Sequence, residues 1–210
     1  VGTVHVGHNP NALYDDLAQA LLHAAQTAVE QRGVFHLALS GGSTPEPFYH
    51  RLVMDPRFRL LPWDKTHLWQ VDERCVPPDA PQSNWRILAC PQGVPALDFV
   101  LLGMGDDAHT ASLFPHSPAL QEQQRLVARN DGPHVTPPAR LTLTYPLLRA
   151  ARALAVLVTG AKKQAALQRV AQAWLAHGTA ADAVAQLPIV GMAPAADRLT
   201  WYLDPSAAGV

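Results

Sequence analysis

The chain has 210 residues, with sixteen lysines and arginines against seventeen aspartates and glutamates, a formal net charge of -1. That balance gives no electrostatic reason to expect a nucleic acid or an anionic membrane as partner. Hydrophobic residues make up 48% and charged residues 16%, which supplies a sizeable core and argues against intrinsic disorder. No apolar run approaches the roughly 20 residues of a membrane span. The opening VGTVHVGHNPNALYDD lacks the basic-then-apolar order of a signal peptide. Cys75 and Cys90 have neither metal-ligand spacing nor the numbers for a disulfide framework, so a reducing, cytoplasmic setting is expected.

Residues 12–32 carry apolar side chains at helical spacing and stop at Gly33, which predicts an amphipathic helix. VFHLAL at 34–39 predicts a strand that empties into Ser40-Gly41-Gly42-Ser43-Thr44, and Pro45 suits the start of a helix over 46–53. The same grammar recurs. THLWQV at 66–71 runs into Asp72-Glu73-Arg74, and DFVLLG at 98–103 runs into Met104-Gly105-Asp106-Asp107-Ala108-His109. LAVLVTG at 154–160 precedes a helix from about 162 to 176. RLTLTY at 140–145 alternates and predicts an edge or half-exposed strand, and LTWYLD at 199–204 a final one. The Pro- and Ala-rich stretches 77–97 and 176–196 read as loops. No composition shift divides residues 1–210, so one domain is expected. Apolar strands alternating with helices predict an α/β fold, a mostly parallel sheet with helices on both faces.

In such sheets ligands bind beyond the C-terminal strand ends. Four predicted strands end in polar or glycine-rich segments, and that coincidence says more than any one motif. The 40–44 turn suits phosphate, because glycine lets the backbone approach closely and a helix start supplies free N–H groups. It matches neither the Walker pattern nor G-x-G-x-x-G, and it reads equally as an ordinary turn with Ser43 or Thr44 capping the helix. Arg74 suits a bidentate phosphate or carboxylate contact, or else a salt-bridge cluster at a strand end. His109, in a turn rich in glycine and aspartate, suits a general base held by a neighbouring carboxylate. Lysine in a first helical turn (Lys162, Lys163) opposes the helix dipole unless an anion compensates it.

Six segments together resemble the 6-phosphogluconolactonase family: LALSGGSTP (37–45), WQVDERCVP with QSNWR (69–86), DFVLLGMGDDAHTASLFP (98–115), LTLTYPLL (141–148), VLVTGAKK (156–163) and LTWYLD (199–204). The histidine segment is the most specific. The resemblance implies a fold like that of glucosamine-6-phosphate isomerases, and hydrolysis of 6-phospho-D-glucono-1,5-lactone without metal or organic cofactor. Carried over by position, His109 activates water, Arg74 and Lys163 engage substrate anions, and Asp72 and Asp107 line the site. Ser40, Gly41, Gly42, Ser43 and Thr44 contribute to substrate binding. The partner implied is a small sugar-phosphate lactone, with monomer and homodimer both open.

Two departures stand out. Ala108 replaces the glycine that usually precedes the histidine; if that position needs φ > 0, alanine costs on the order of 1 kcal/mol. Only about ten residues separate Leu88 from Asp98, where the family carries several dozen more, including a helix and a strand. Either the chain has lost them or its sequence closes over a missing stretch. The second is expected, because the loss would leave core surface unpaired. A glucosamine-6-phosphate isomerase/deaminase is the nearest rival, but that family tends to read FNEP where this chain has Ser112-Leu113-Phe114-Pro115. A non-catalytic sugar-phosphate sensor is the other, and residues 1–33 lack a basic DNA-binding segment. Parts of the chain also look like the lactonase portion of a two-activity protein of the endoplasmic reticulum, without its dehydrogenase.

Overall fold

A computed structural model describes residues 2–77, 80, 97–177 and 180–210. The strands are β1 (Thr3–Val6), β2 (Phe35–Leu39), β3 (Thr66–Gln70), β4 (Asp72–Arg74), β5 (Phe99–Gly103), β6 (Val127–Asp131), β7 (Ala139–Leu143), β8 (Ala153–Val158) and β9 (Leu199–Leu203). Helices are α1 (Pro10–Arg32), α2 (Glu46–Met54), α3 (Tyr145–Arg149), α4 (Gln164–His177), α5 (Ala181–Gln186) and α6 (Pro205–Ala208). Six strands form one sheet in the order β1-β9-β8-β5-β2-β3, and every pairing in it is parallel.

Period-two alternation divides the core between the two faces. Leu37, Leu39, Phe99, Leu101, Ala155, Leu157 and Tyr202 pack with Leu13, Leu17 and Leu21 of α1 and Phe48 of α2. Ala38, Val100, Leu102, Val156, Val158, Trp201 and Leu203 pack on the other side with Val170 and Trp174 of α4. Both faces are therefore covered by helices, as the continuous apolar strands require.

The α1 helix opens on Asn9, whose side chain accepts from the Ala12 N–H at 2.9 Å, and closes on Gly33 at φ 77. Asp98, almost wholly buried at the start of β5, accepts from the His36 N–H at 2.8 Å and from Arg32 at 2.7 Å. Arg152 completes its pairing at 3.2 Å.

Several elements differ from expectation. Residues 72–74 form a strand, β4, in a second antiparallel sheet of order β4-β7-β6. The 140–145 strand therefore lies at the centre of that sheet rather than its edge, although its alternation holds: Arg140 and Thr142 are buried and Leu141 is exposed. The expected final strand is present as β9 and lies between β1 and β8. Within the expected loop 176–196 stand α5 and a 3-10 path over Pro188–Arg198 that buries Ile189, Val190 and Met192. The expected loop 77–97 and the short stretch between 88 and 98 fall almost entirely outside the described residues.

Asp204 ties strand end to strand end. Its Oδ1 accepts from the Gly160 N–H at 2.9 Å, after β8, and from the Ala207 N–H at 2.8 Å, capping α6. Asp204→Ala leaves both donors unmet and should destabilise the protein by about 1–3 kcal/mol in urea unfolding.

Candidate active site

The four strands with polar ends are neighbours, in the order β8-β5-β2-β3. Beyond their C-terminal ends lies a cleft of about 270 Å³ lined by Ser40 to Pro45, Asp72, Arg74, Gly103 to Gly105, His109, Ala111 and Lys163. The imidazole, the guanidinium and the ammonium named from sequence thus share one cavity.

The 40–44 turn leaves β2 with Ser40 N–H bonded to the Leu101 carbonyl at 3.0 Å. Gly42 takes φ 102, a conformation side chains rarely adopt. No side chain caps α2, whose cap position is Pro45, so the reading of Ser43 or Thr44 as a cap does not hold. Both instead line the cleft. Behind them Tyr49 donates to the Ser40 carbonyl at 2.5 Å. Burial, and then the charge of Asp72, push the Tyr49 phenol pKa far up, so it remains a donor.

Asp72 and Arg74 alternate with Glu73 along β4 and share one face of it. Opposite them in β7 stand Thr142, paired with Asp72, and Arg140, paired with Arg74. Glu73 faces the other way, accepting from the Arg74 N–H at 2.7 Å and from Gln70 at 3.1 Å. Ser112 donates its hydroxyl to Asp72 at 2.7 Å. It is itself held by Thr142 Oγ1, 3.1 Å from its N–H, and by Asn130, 2.8 Å from its carbonyl. Burial pushes the Asp72 carboxyl up, and it prevails over the Ser112 hydrogen bond and the charges of Arg74, Arg140 and His109. Burial also lowers the Arg140 pKa, with the charge of Arg74 adding to it. Ser40 Oγ and Arg140 Nη1 are buried with no hydrogen-bond partner among the described residues.

His109 stands in a tight turn closed by Gly105 N–H to the His109 carbonyl at 2.9 Å and Ala108 N–H to the Gly105 carbonyl at 3.0 Å. Its Nδ1 lies 2.6 Å from Asp107 Oδ1, which also accepts the His109 backbone N–H at 3.1 Å. With Nδ1 donating, the neutral ring carries its lone pair on Nε2. Burial raises the Asp107 carboxyl, but the hydrogen bond and charge of His109 outweigh it and hold the pKa below the usual range. The Phe114 ring packs 5.0 Å from the imidazole, centre to centre. Ala108 does adopt φ 65. Its methyl is fully buried in the core cluster, which offsets the backbone strain.

Lys163 ends a 3-10 turn, Ala161–Lys163, that follows Gly160 at φ 92 and precedes α4. Its Nζ meets Asp106 Oδ1 at 2.5 Å. Asp106 is therefore the compensating anion that a lysine at a helix start calls for. Sequence reasoning gave Asp106, Ser112, Tyr49 and Arg140 no part in the site. Only Asp106 and Ser112, inside the histidine segment, carried a signal that could have found them. Among the described residues no cluster of three or more His, Cys, Asp or Glu side chains could hold a metal, and no helix is long and apolar enough to cross a membrane.

The family model for glucosamine-6-phosphate isomerases/6-phosphogluconolactonase matches residues 8–90 and 87–201. The chain belongs to that family. Among curated relatives, a 6-phosphogluconolactonase of Nostoc sp. is 36% identical over 98% of this chain and 96% of its own length. The GDH/6PGL endoplasmic bifunctional protein of Oryctolagus cuniculus is 34% identical over 94% of this chain, which spans 29% of that longer protein. The crystal structure of a 6-phosphogluconolactonase from Shewanella baltica superposes with a TM-score of 0.79 at 25% identity, covering 97% of each chain.

A Cβ at Gly105 would lie 2.2 Å from His109 Nδ1 and 2.6 Å from Asp107 Oδ1. Gly105→Ala should therefore break the His109–Asp107 bond, and the downfield Nδ1–H proton resonance of the wild type should disappear while the far-UV dichroism stays unchanged.

Asp72→Asn keeps an oxygen for the Ser112 hydroxyl and removes a charge that burial disfavours. With the folded pKa raised above the unfolded value of about 3.9, the carboxylate costs nothing below that pH and costs progressively more as pH rises through the folded pKa. The Asn variant should melt higher than wild type at pH 7, with the difference closing toward pH 3.5.

Proposed function

We propose that the protein hydrolyses 6-phospho-D-glucono-1,5-lactone to 6-phosphogluconate, with His109 as general base. The convergence of His109, Arg74 and Lys163 on one cleft beside the 40–44 turn is the observation that carries this reading. The family and the names of full-length relatives supply the substrate class.

A lactone is an activated ester, so no covalent nucleophile is needed. Water attacks C1 as its proton passes to Nε2 of His109, and Asp107 stabilises the imidazolium through the 2.6 Å contact at Nδ1. The tetrahedral oxyanion is met by a cation or backbone N–H at the cleft wall. The C1–ring oxygen bond then breaks, the ring oxygen takes the proton from Nε2, and the new carboxylic acid ionises. Lys163, Arg74 and the N–H groups of the glycine turn hold the phosphate, remote from the reacting bond, so that binding energy orients C1. The low pKa of Asp107 suits this role, because it stays ionised wherever the histidine works.

The isomerase/deaminase reading finds no support in the segment after the histidine. Residues 110–115 contain no carboxylate, the Ser112 hydroxyl is committed to Asp72, and Leu113 is buried. Non-catalytic sensing gives no reason for a carboxylate-oriented imidazole facing the cleft.

Acid release from the phosphorylated lactone at fixed pH, with spontaneous hydrolysis subtracted, tests the reading. His109→Ala should lower kcat by roughly 10²–10⁴ with the fold retained. Arg74→Ala should mainly raise KM for the phosphorylated lactone; an equal loss on unphosphorylated gluconolactone would remove it from the phosphate subsite.

A further inference from the structure

The Lys163 ammonium, assigned above to the phosphate, is already occupied in the free protein. Asp106 Oδ1 lies 2.5 Å from it, so a phosphate must take the place of a carboxylate the chain itself supplies. The two partners are not held alike. The Lys163 side chain is 19% exposed, on a turn fixed by its own N–H to the Gly160 carbonyl at 3.0 Å, whereas the Asp106 side chain is 68% exposed. The backbone at Asp106 is pinned, since its carbonyl accepts from Arg169 at 3.2 Å and the next residue, Asp107, is bonded to His109. Only the Asp106 side chain is at liberty to rotate into water, where its charge is readily solvated.

We infer that Asp106 is an internal counter-ion of the phosphate subsite: an anion on Lys163 that a phosphorylated sugar must displace and an uncharged one need not, so that it sets the affinity for phosphate. This rests on the reading of Lys163 as a phosphate contact. A dianionic phosphate carries more charge than the carboxylate it replaces, and the released carboxylate, already 68% exposed, gives up only a weak ion pair on entering solvent. A neutral lactone has no group to drive the exchange and meets a Lys163 whose charge is already balanced. An ion pair with one partner this exposed is worth little, so the competition costs the true substrate only a small factor in binding.

Asp106→Asn keeps the shape and removes the competing charge. It should lower KM for the phosphorylated lactone and the inhibition constant of inorganic phosphate by about two- to fivefold. Turnover, and KM for unphosphorylated gluconolactone, should stay unchanged. In a Lys163→Ala background the same substitution should do nothing, because the contact it relieves is gone. Asp106→Ser serves as a second variant with the same expectations. An unchanged or raised KM for the phosphorylated lactone, or an equal fall for both lactones, overturns the inference. So does a fall that persists without Lys163, which would make Asp106 a general repeller of anions. If Lys163→Ala alone leaves KM for the phosphorylated lactone where it was, the phosphate assignment fails first, and the role given to Asp106 falls with it.

Discussion

Everything at the cleft depends on four parallel strands lying side by side with their C-terminal ends on one edge. Strand spacing of about 4.8 Å places the end of β8 roughly 14 Å from that of β3, the span of a phosphorylated hexose with room for its contacts. Each strand delivers one kind of group there: a lysine turn from β8, the histidine turn from β5, the glycine turn from β2, and the acidic and basic pair that follows β3. Parallel pairing makes this possible, because every strand runs its chain outward at the same edge and the return paths are left to the helices on either face. None of the four segments forms the cleft alone.

The second, three-stranded sheet converts proximity into orientation. Asp72 and Arg74 belong to its strand β4, which pairs with β7, and β7 and β6 between them position Ser112 through Thr142 and Asn130. A carboxylate in so buried a place needs this support: a hydroxyl on one oxygen, guanidinium groups nearby, and a rigid strand beneath. The Asp107 carboxylate, nearer to solvent and bonded to an imidazole, is tuned in the opposite direction. A carboxylate of the cleft wall and one bonded to the cleft's histidine are thereby pushed apart in acidity. The one beside His109 is favoured as a carboxylate, and burial works against ionisation of the other.

The large sheet was legible because its strands are short apolar runs bounded by turn residues, and such runs have few other uses in a chain of this composition. Its helices were legible from 3.6-residue spacing. The small sheet was not. Asp-Glu-Arg at 72–74 and Val-Ala-Arg-Asn-Asp at 127–131 are too polar to announce strands, and they become strands by pairing with partners more than sixty residues away or across a long turn. For the site, His109, Arg74 and Lys163 stood out because charged groups directly after apolar strands demand an explanation. Tyr49 and Arg140 did not, since a tyrosine inside a helix and an arginine in an alternating strand look ordinary until the fold brings them beneath the cleft. Asp106 looked like one more turn residue, and only coordinates show which cation its carboxylate meets.

The misread stretch 176–196 has a part in holding the histidine turn together. Between 108 and 116 three residues other than glycine adopt positive φ: Ala108, Ala111 and His116. Left-handed backbone at such residues costs on the order of 1–2 kcal/mol each, so this loop does not hold its shape by local preference. Two of the three are clamped from the same place. The Ala108 carbonyl accepts the Ile189 N–H at 3.0 Å, and the His116 N–H bonds to the Ala185 carbonyl at 2.8 Å. Between these anchors Leu113 and Phe114 are buried, and Phe114 packs against the imidazole ring. The α5 helix and the 3-10 path after it thus act as a brace: their buried Ile189, Val190 and Met192 secure them to the core, and their backbone groups fasten the strained turn. A histidine aimed by strain needs such a remote support, because residues that relaxed the turn locally would also let the imidazole swing away from Asp107.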